Sequence, residues 1–173
     1  FLQNKYYQLN KYICCFFFGS ILVLCLPPYN LWPLIFPSIA FLFFKSYYST
    51  SLKESFLIGW FFGLAFFTFG LYWIFNSFLI RSEIFLYLIP FCLIILSSFL
   101  ALFFGIISLL NYYFKKNVIL SIVFFSIFWS LSEILRGYLF TGFPWNLLAH
   151  IWINYPGILQ ISSVIGAYGL SFI

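Results

Sequence analysis

Residues 55–77 read SFLIGWFFGLAFFTFGLYWIFNS and contain no charged side chain. A transmembrane helix needs about 20 consecutive, mostly apolar residues, so this stretch is long enough to cross a bilayer. Gly59 and Gly63 form a small-xxx-small pair, and Gly70 falls on the same helical face. Small residues allow close approach of two helix backbones. The stretch therefore predicts a membrane-crossing helix that packs tightly against a neighbour.

The composition of the whole chain extends this prediction. Hydrophobic residues make up 65% of the 173 residues and charged residues only 6%, whereas soluble domains carry roughly 25% charged residues. The net charge of +5 comes from cations that lie between apolar stretches, where they set membrane orientation. A nucleic-acid partner is therefore not expected.

Charges and turn residues divide the chain into five predicted spans and the start of a sixth. The first two are short for a perpendicular crossing, which indicates either a tight hairpin that does not fully cross or a broken pair. No segment keeps the alternating polar face of a membrane barrel. We predict an all-α fold, a polytopic membrane helix bundle, with spans at about residues 12–26, 31–44, 55–77, 83–115 and 118–139 and a sixth from Gly157.

The distribution of cations predicts the orientation of the bundle. If the N-terminus is cytoplasmic, the cytoplasmic side receives six of the eight cations and the other side receives Arg81 and Arg136. This bias follows the positive-inside rule and places residues 137–156 outside. The six cytoplasmic cations are Lys5, Lys11, Lys45, Lys53, Lys115 and Lys116.

Glu133 and Arg136 are the charged pair that the sequence singles out. A carboxylate near the end of a membrane helix is costly and normally has a partner, and Arg136 lies one helical turn away. One interpretation is a structural ion pair at the outer interface. The other is that Arg136 binds a lipid phosphate or carboxylate while Glu133 orients it.

The segment after this pair predicts an irregular loop at the membrane surface. Gly142 and Pro144 are turn residues, and Trp145-Asn146 then leads back into an apolar run. Irregular backbone at membrane depth must be covered by protein or line a cavity, so the loop could form an entry for an amphiphile. We expect His150, the only histidine, to be a hydrogen-bonded interfacial side chain and not a base. No metal site and no cofactor are predicted.

Six short motifs, in this order, resemble the N-terminal membrane region of the bacterial apolipoprotein N-acyltransferase family. Each motif alone is weak, but the ordered set covers most of the chain. The chain departs from the family at Ala149-His150, where Gly-Tyr is common. The motifs are LPPYNLWPL (26–34), GWFFG (59–63), GLYWI (70–74), EILRG (133–137), TGFPWN (141–146) and GAYGLS (166–171).

The resemblance implies an eight-span enzyme of the bacterial inner membrane, with a nitrilase-like domain inserted before the last span on the periplasmic side. In the family, the cysteine of a Glu-Lys-Cys triad accepts an acyl chain from a phospholipid and passes it to the diacylglyceryl cysteine of an apolipoprotein. Phospholipid donor, apolipoprotein acceptor and membrane lipid are therefore the implied partners. Residues 1–173 would be the N-terminal transmembrane domain, a fragment without the triad and inactive alone. Its candidate substrate-binding residues are Glu133, Arg136, Pro144, Trp145, Asn146 and Tyr168.

Three alternatives stay open at this point. A related membrane module accompanies polyprenol-phosphate mannose synthesis, and the sequence downstream would distinguish it. The chain could also be part of a transporter or a non-catalytic scaffold, although transporters often show inverted repeats and mid-span charges, which this sequence lacks. A degraded remnant without activity is the third possibility.

Overall fold

The computed structural model describes residues 2–74, 87–139 and 142–173, with side chains from residue 10 onward. Within these ranges the chain forms helices and turns and no strand, which confirms the all-α prediction. The helices, numbered among the described residues, are α1 (Leu2–Val23), α2 (Ile35–Tyr47), α3 (Leu52–Gly70), α4 (Ile89–Tyr113), α5 (Val118–Tyr138), α6 (Pro156–Leu159) and α7 (Ser162–Phe172). Three 3-10 turns cover Trp32–Leu34, Tyr72–Ile74 and Leu148–Trp152.

Local sequence signals explain where the long helices begin. The Ser51 hydroxyl accepts a hydrogen bond from the backbone N–H of Glu54 at the start of α3. The Asn117 side chain accepts one from the backbone N–H of Leu120, at 2.8 Å, at the start of α5. Pro90 lies in the first turn of α4. Backbone N–H groups in the first turn have no hydrogen-bond partner within the helix, so the missing N–H of proline is tolerated there. Side-chain caps of this kind satisfy N–H groups that the helix itself cannot.

Three of the described helices are long and apolar enough to cross a membrane, namely α3, α4 and α5. The predicted first and second spans are helical, but their apolar parts are shorter, at Asn10–Val23 in α1 and in the 13-residue α2. Five crossings are therefore not established. The predicted ends at residues 75–77 and 83–86 lie outside the described residues.

The predicted sixth span is not one continuous helix. The short α6 is followed by α7, and the backbone of α7 leaves the helical conformation at Gly166, where φ is 73°. A positive φ is readily adopted by glycine and interrupts a right-handed helix. The apolar run after Gly157 therefore bends at Gly166.

The α3–α4 interface is the most extensive among the described helices, and the two backbones approach closely there, as the glycine pattern predicts. A Cβ atom on Gly59 would meet the backbone carbonyl of Phe104, and one on Gly63 would lie 2.8 Å from Phe104 Cβ. The Ser55 hydroxyl also donates to the carbonyl of Ser108, at 2.7 Å. Gly70 differs from the prediction, because it faces Asn146 and not α4.

The helices run in alternating directions, so the bundle has two distinct ends. At the end that we call the lysine end, Lys11 pairs with Glu54, and the Tyr47 hydroxyl donates to the carbonyl of Lys116 at 2.7 Å. The opposite end, which we call the loop end, carries the end of α3, the end of α5 and residues 142–155. At the loop end, the ring centroids of Trp73 and Trp145 lie 5.2 Å apart.

Candidate functional site

Glu133 lies near the loop end of α5 and is 5% exposed. Its Oε1 atom accepts a hydrogen bond from Trp129 Nε1, at 3.1 Å, and another from the backbone N–H of Leu148, at 2.8 Å. Its Oε2 atom is buried and has no hydrogen-bond partner in the part of the chain that the structure describes. The carboxylate therefore fastens the segment after α5 to α5 itself.

Arg136 is 3% exposed and forms no direct ion pair with Glu133, so the interpretation of a structural ion pair is wrong, although the two charges interact through space. Among the described residues, the carboxylate is engaged only through Oε1, by the indole and by the loop N–H. The guanidinium carbon of Arg136 instead lies 5.0 Å from the centre of the Phe67 ring on α3, a cation–π arrangement. The Nε atom of Arg136 has no hydrogen-bond partner among the described residues. The interpretation that Arg136 binds a lipid headgroup stays a prediction.

The loop after α5 is held by its own backbone. The N–H of Phe143 donates to the carbonyl of Arg136 at 2.7 Å, and the N–H of Gly142 donates to that of Leu139 at 2.9 Å. Gly142 has a φ of 86°, and a Cβ there would collide with the carbonyl of Gly137. Only glycine fits this position without strain. Thr141, part of the quoted motif, lies outside the described residues.

Pro144, Trp145 and Asn146 form the surface part of this site, which we call the lip. Pro144 is exposed and the Trp145 side chain is 50% exposed. Asn146 has a φ of 55° and places its amide Nδ2 against Gly70 at the end of α3. The lip is thus held against α3 by this close approach, which glycine permits, and against the following 3-10 turn by the pair of Trp73 and Trp145.

Tyr168 of α7 reaches the end of α5. A Cβ on Gly137 would lie 2.5 Å from the Tyr168 hydroxyl oxygen. Three residues further on, the Ser171 hydroxyl accepts a hydrogen bond from the backbone N–H of Ala149, at 3.1 Å. The six predicted residues therefore gather at one end of the bundle, with Glu133 and Arg136 buried, Tyr168 half-buried beside them and the lip at the surface.

Sequence reasoning missed the partners of this site. Trp129 lies one helical turn before Glu133, and that spacing is a signal that could have identified it. Ser171 belongs to a quoted motif but had no assigned role. The contacts of Phe67 and Gly70 carry no local signal, because each depends on how α3 packs against residues far along the chain.

His150 is half-buried in the 3-10 turn after the lip, outside the candidate membrane spans. Burial lowers the pKa of its imidazole, and the positive charge of Arg136 lowers it further. Both effects favour the neutral ring. The expected interfacial hydrogen bond of His150 stays a prediction.

An apolar groove with a volume of about 360 Å³ lies between α2 and α5, beside the partners of Glu133. Trp129, Leu148 and Ser171 line both the groove and the surroundings of the carboxylate. Its remaining lining is almost wholly apolar and comes mainly from Ile35, Ile39, Phe43, Phe125 and Trp152. This size and character suit one hydrocarbon chain and do not suit a polar substrate.

Comparison with known proteins agrees with the resemblance found in the sequence. The family model described as "Apolipoprotein N-acyltransferase N-terminal domain" matches residues 18–173. An apolipoprotein N-acyltransferase of Rhizobium rhizogenes is 32% identical over 162 residues, which cover 88% of this chain and 30% of the relative. The enzyme of that name from Rhodopseudomonas palustris is 32% identical over 160 residues, 90% of this chain and 30% of the relative. The one from Wigglesworthia glossinidia brevipalpis is 34% identical over 165 residues, 94% of this chain and 33% of the relative.

The matched part therefore spans about 30% of the length of these curated relatives. The matched residues include the buried Glu133 and Arg136, the lip and Tyr168. The chain belongs to the apolipoprotein N-acyltransferase family, within its N-terminal domain.

Proposed function

We propose that this chain is the membrane part of an acyltransferase that moves an acyl chain from a phospholipid to the N-terminal diacylglyceryl cysteine of apolipoproteins. The family match over residues 18–173 is the observation that carries the proposal. The apolar helices α3, α4 and α5 support a membrane location. The reacting groups would lie outside residues 1–173, and the membrane would be the bacterial inner membrane.

In this proposal the loop end faces the periplasm and the lysine end faces the cytoplasm. Lys45, Lys53, Lys115 and Lys116 lie near helix ends at the lysine end, and Lys11 pairs there with Glu54 at the start of α3, which supports that orientation. A lip on the periplasmic side would meet both the outer leaflet and a lipoprotein substrate. Single cysteines replacing Trp145 and Tyr48, in a variant without the exposed Cys14 and Cys92, would test it. A membrane-impermeant maleimide added to intact inner-membrane spheroplasts should label position 145 and not position 48.

The six site residues divide into two roles under this proposal. Glu133, Arg136 and Tyr168 hold the ends of α5 and α7 and the following segment in place. Pro144, Trp145 and Asn146 present an amphipathic rim, where an aromatic ring with a polar edge suits the headgroup layer. The rim would guide acyl chains between the bilayer and the reacting groups.

The decisive experiment is an acyl-transfer assay on the purified protein that carries this chain. Labelled phosphatidylethanolamine is the donor and a synthetic diacylglyceryl lipopeptide is the acceptor, both in detergent. We expect the N-acylated lipopeptide as product, and a protein with no transfer to any diacylglyceryl acceptor would be a scaffold and not an acyltransferase.

A variant pair tests the role of the lip in the same assay. Trp145→Ala should lower kcat/KM several-fold, because it removes an aromatic pair worth about 0.5–1.5 kcal/mol beyond its buried area. Tyr87→Ala is the matched control, since Tyr87 is an 82% exposed aromatic residue beside the loop-end start of α4. Equal turnover in both variants and the parent protein would reduce the lip to scaffolding.

A further inference from the structure

Another cavity lies at the loop end and shares no lining residue with the groove between α2 and α5. It has a volume of about 380 Å³ and is lined by the turn at residues 26–29, by Gly70, Tyr72 and Trp73, and by Asn146. We call it the loop-end pocket. Its volume falls in the range of small-molecule sites, roughly 300–1,000 Å³.

Asn146 supplies an unused hydrogen-bond donor at this pocket. Its Nδ2 atom is buried and has no hydrogen-bond partner among the described residues. The residue adopts a φ of 55°, and Gly70 leaves the space in which the amide lies. A buried donor without a partner is rare in folded proteins and indicates a missing acceptor.

The walls of the pocket are pre-formed and uncharged. The turn after α1 is fixed by hydrogen bonds from the N–H of Tyr29 to the carbonyl of Leu26, at 3.1 Å, and from the N–H of Leu31 to that of Leu24, at 2.9 Å. The Asn30 side chain also donates to the carbonyl of Pro28 at 2.8 Å. None of the described residues that line the pocket carries a charge. An amide donor without a cation suits a neutral acceptor, such as a carbonyl, better than a phosphate.

The pocket continues into an apolar groove between α1 and α3. This groove has a volume of about 440 Å³, and Val23, Tyr29 and Tyr72 line both cavities. Its other walls come from Phe17, Ile21, Leu24 and Phe69. The combined site is therefore amphiphilic, with an apolar groove along α1 and α3 and the buried amide donor of Asn146 at its loop end.

We infer that the loop-end pocket and the α1–α3 groove bind an ester-linked acyl chain of a membrane lipid. The hydrocarbon chain lies along the groove, and the ester carbonyl accepts a hydrogen bond from Asn146 Nδ2. A lipid is favoured over a peptide because most of the described lining of the groove is apolar. Its polar groups there are the hydroxyls of Tyr29 and Tyr72 and that of Ser20, which already donates to the carbonyl of Phe17 at 2.7 Å. The site goes beyond the proposed acyl transfer and does not require its lipid to be the acyl donor.

Photo-crosslinking in lipid nanodiscs tests the site directly. The probes are two phosphatidylethanolamines with a diazirine on one chain, one with ester and one with ether linkages, so only the first has the carbonyl. We expect crosslinks at Phe17, Leu24 and Phe69, with the ester lipid captured about five-fold better, as one net hydrogen bond would give. Equal capture of the two lipids at these residues would overturn the assignment of Asn146.

Two variants and a control separate the two halves of the site. Asn146→Leu should abolish the preference for the ester lipid, whereas Ser20→Phe should reduce capture of both lipids by filling the groove. Ser163→Phe is the matched control, since Ser163 forms the same type of hydrogen bond, to the carbonyl of Gln160 at 2.7 Å, but lines neither cavity. Unchanged capture in Ser20→Phe would refute the groove.

A competition arm addresses the peptide alternative. Unlabelled ester lipid should suppress crosslinking, and an acyl-free lipoprotein signal peptide should not. Suppression by the acyl-free peptide to the same extent would identify the site as a peptide site and overturn the inference. Because every readout is binding and not acyl transfer, failure of the proposed function would leave these results intact.

Discussion

Replacing Glu133 tests the most specific structural claim, that a buried carboxylate fastens the loop-end segment to α5. Glu133→Leu would remove the acceptor of two hydrogen bonds and leave Trp129 Nε1 and the Leu148 N–H without partners. A hydrogen bond to a charged group contributes about 1.5–3 kcal/mol in soluble proteins, but side-chain hydrogen bonds within membranes average about 0.6 kcal/mol. Glu133→Leu also removes a buried charge, and the Oε2 atom has no hydrogen-bond partner among the described residues. This gain offsets part of the free energy lost with the two hydrogen bonds. We expect the free energy of unfolding to fall by about 1–3 kcal/mol.

Glu133→Gln is the control that separates the hydrogen bonds from the charge. The glutamine keeps an acceptor oxygen at the position of Oε1 but carries no charge, so the loss should be below about 1 kcal/mol. Trp129→Phe removes one donor and keeps most of the ring, and combining it with Glu133→Leu gives a double-mutant cycle for the indole bond. The measurement is equilibrium unfolding in mixed dodecyl maltoside and SDS micelles, followed by far-ultraviolet circular dichroism. If Glu133→Leu unfolds at the same SDS fraction as the parent protein, the fastening role is wrong. If Glu133→Gln lowers the free energy of unfolding as much as Glu133→Leu, the charge and not the hydrogen bonds stabilises the segment.

Two further predictions use the same unfolding assay. Gly59→Val should lower the free energy of unfolding by about 1–3 kcal/mol, because the valine side chain would collide with the carbonyl of Phe104. Gly157→Ala is the control, since nothing lies within 4 Å of the added Cβ, and it should change the free energy of unfolding by less than about 0.5 kcal/mol. The lowered pKa of His150 means that the unfolded chain binds the proton more readily, so stability should fall as the pH drops through the ordinary histidine pKa of about 6.5 toward the folded value. His150→Gln should lose that part of the acid dependence, and an identical pH profile for the two proteins would contradict it.

The long helices could be predicted because their signals are local. Uncharged stretches, capping residues such as Ser51 and Asn117, and small residues on one face each act within a few residues of the chain. The α3–α4 packing followed from Gly59 and Gly63 for the same reason. Whether α1 and α2 cross the membrane could not be predicted, since both are short and length was the only available criterion.

The pairing within the candidate site was less predictable. The sequence correctly placed a buried carboxylate and a buried arginine at the end of α5, but it assigned each as the partner of the other. The partners that the structure shows are the N–H of Leu148, in a 3-10 turn, and the Phe67 ring on α3. Backbone N–H groups have no sequence signature, and the position of a ring on another helix depends on the packing of the whole bundle. The spacing of residues on one helix therefore predicts reliably which side chains are buried side by side. It predicts less reliably which atoms form the hydrogen bonds and contacts.

The loop end also shows why a charged pair can be retained without an ion pair. A lip of irregular backbone beside lipid has few apolar contacts of its own, so its position depends on hydrogen bonds to elements that are already rigid. Glu133 provides this from α5, and Gly70 provides a close approach for Asn146 from α3. The lip is thus fixed on two sides, and the Nδ2 donor of Asn146 lies in a pocket where no described residue accepts its hydrogen bond. A fixed and unsatisfied donor costs stability in the empty protein and returns that free energy when an acceptor binds, which is what a pre-organised binding site requires.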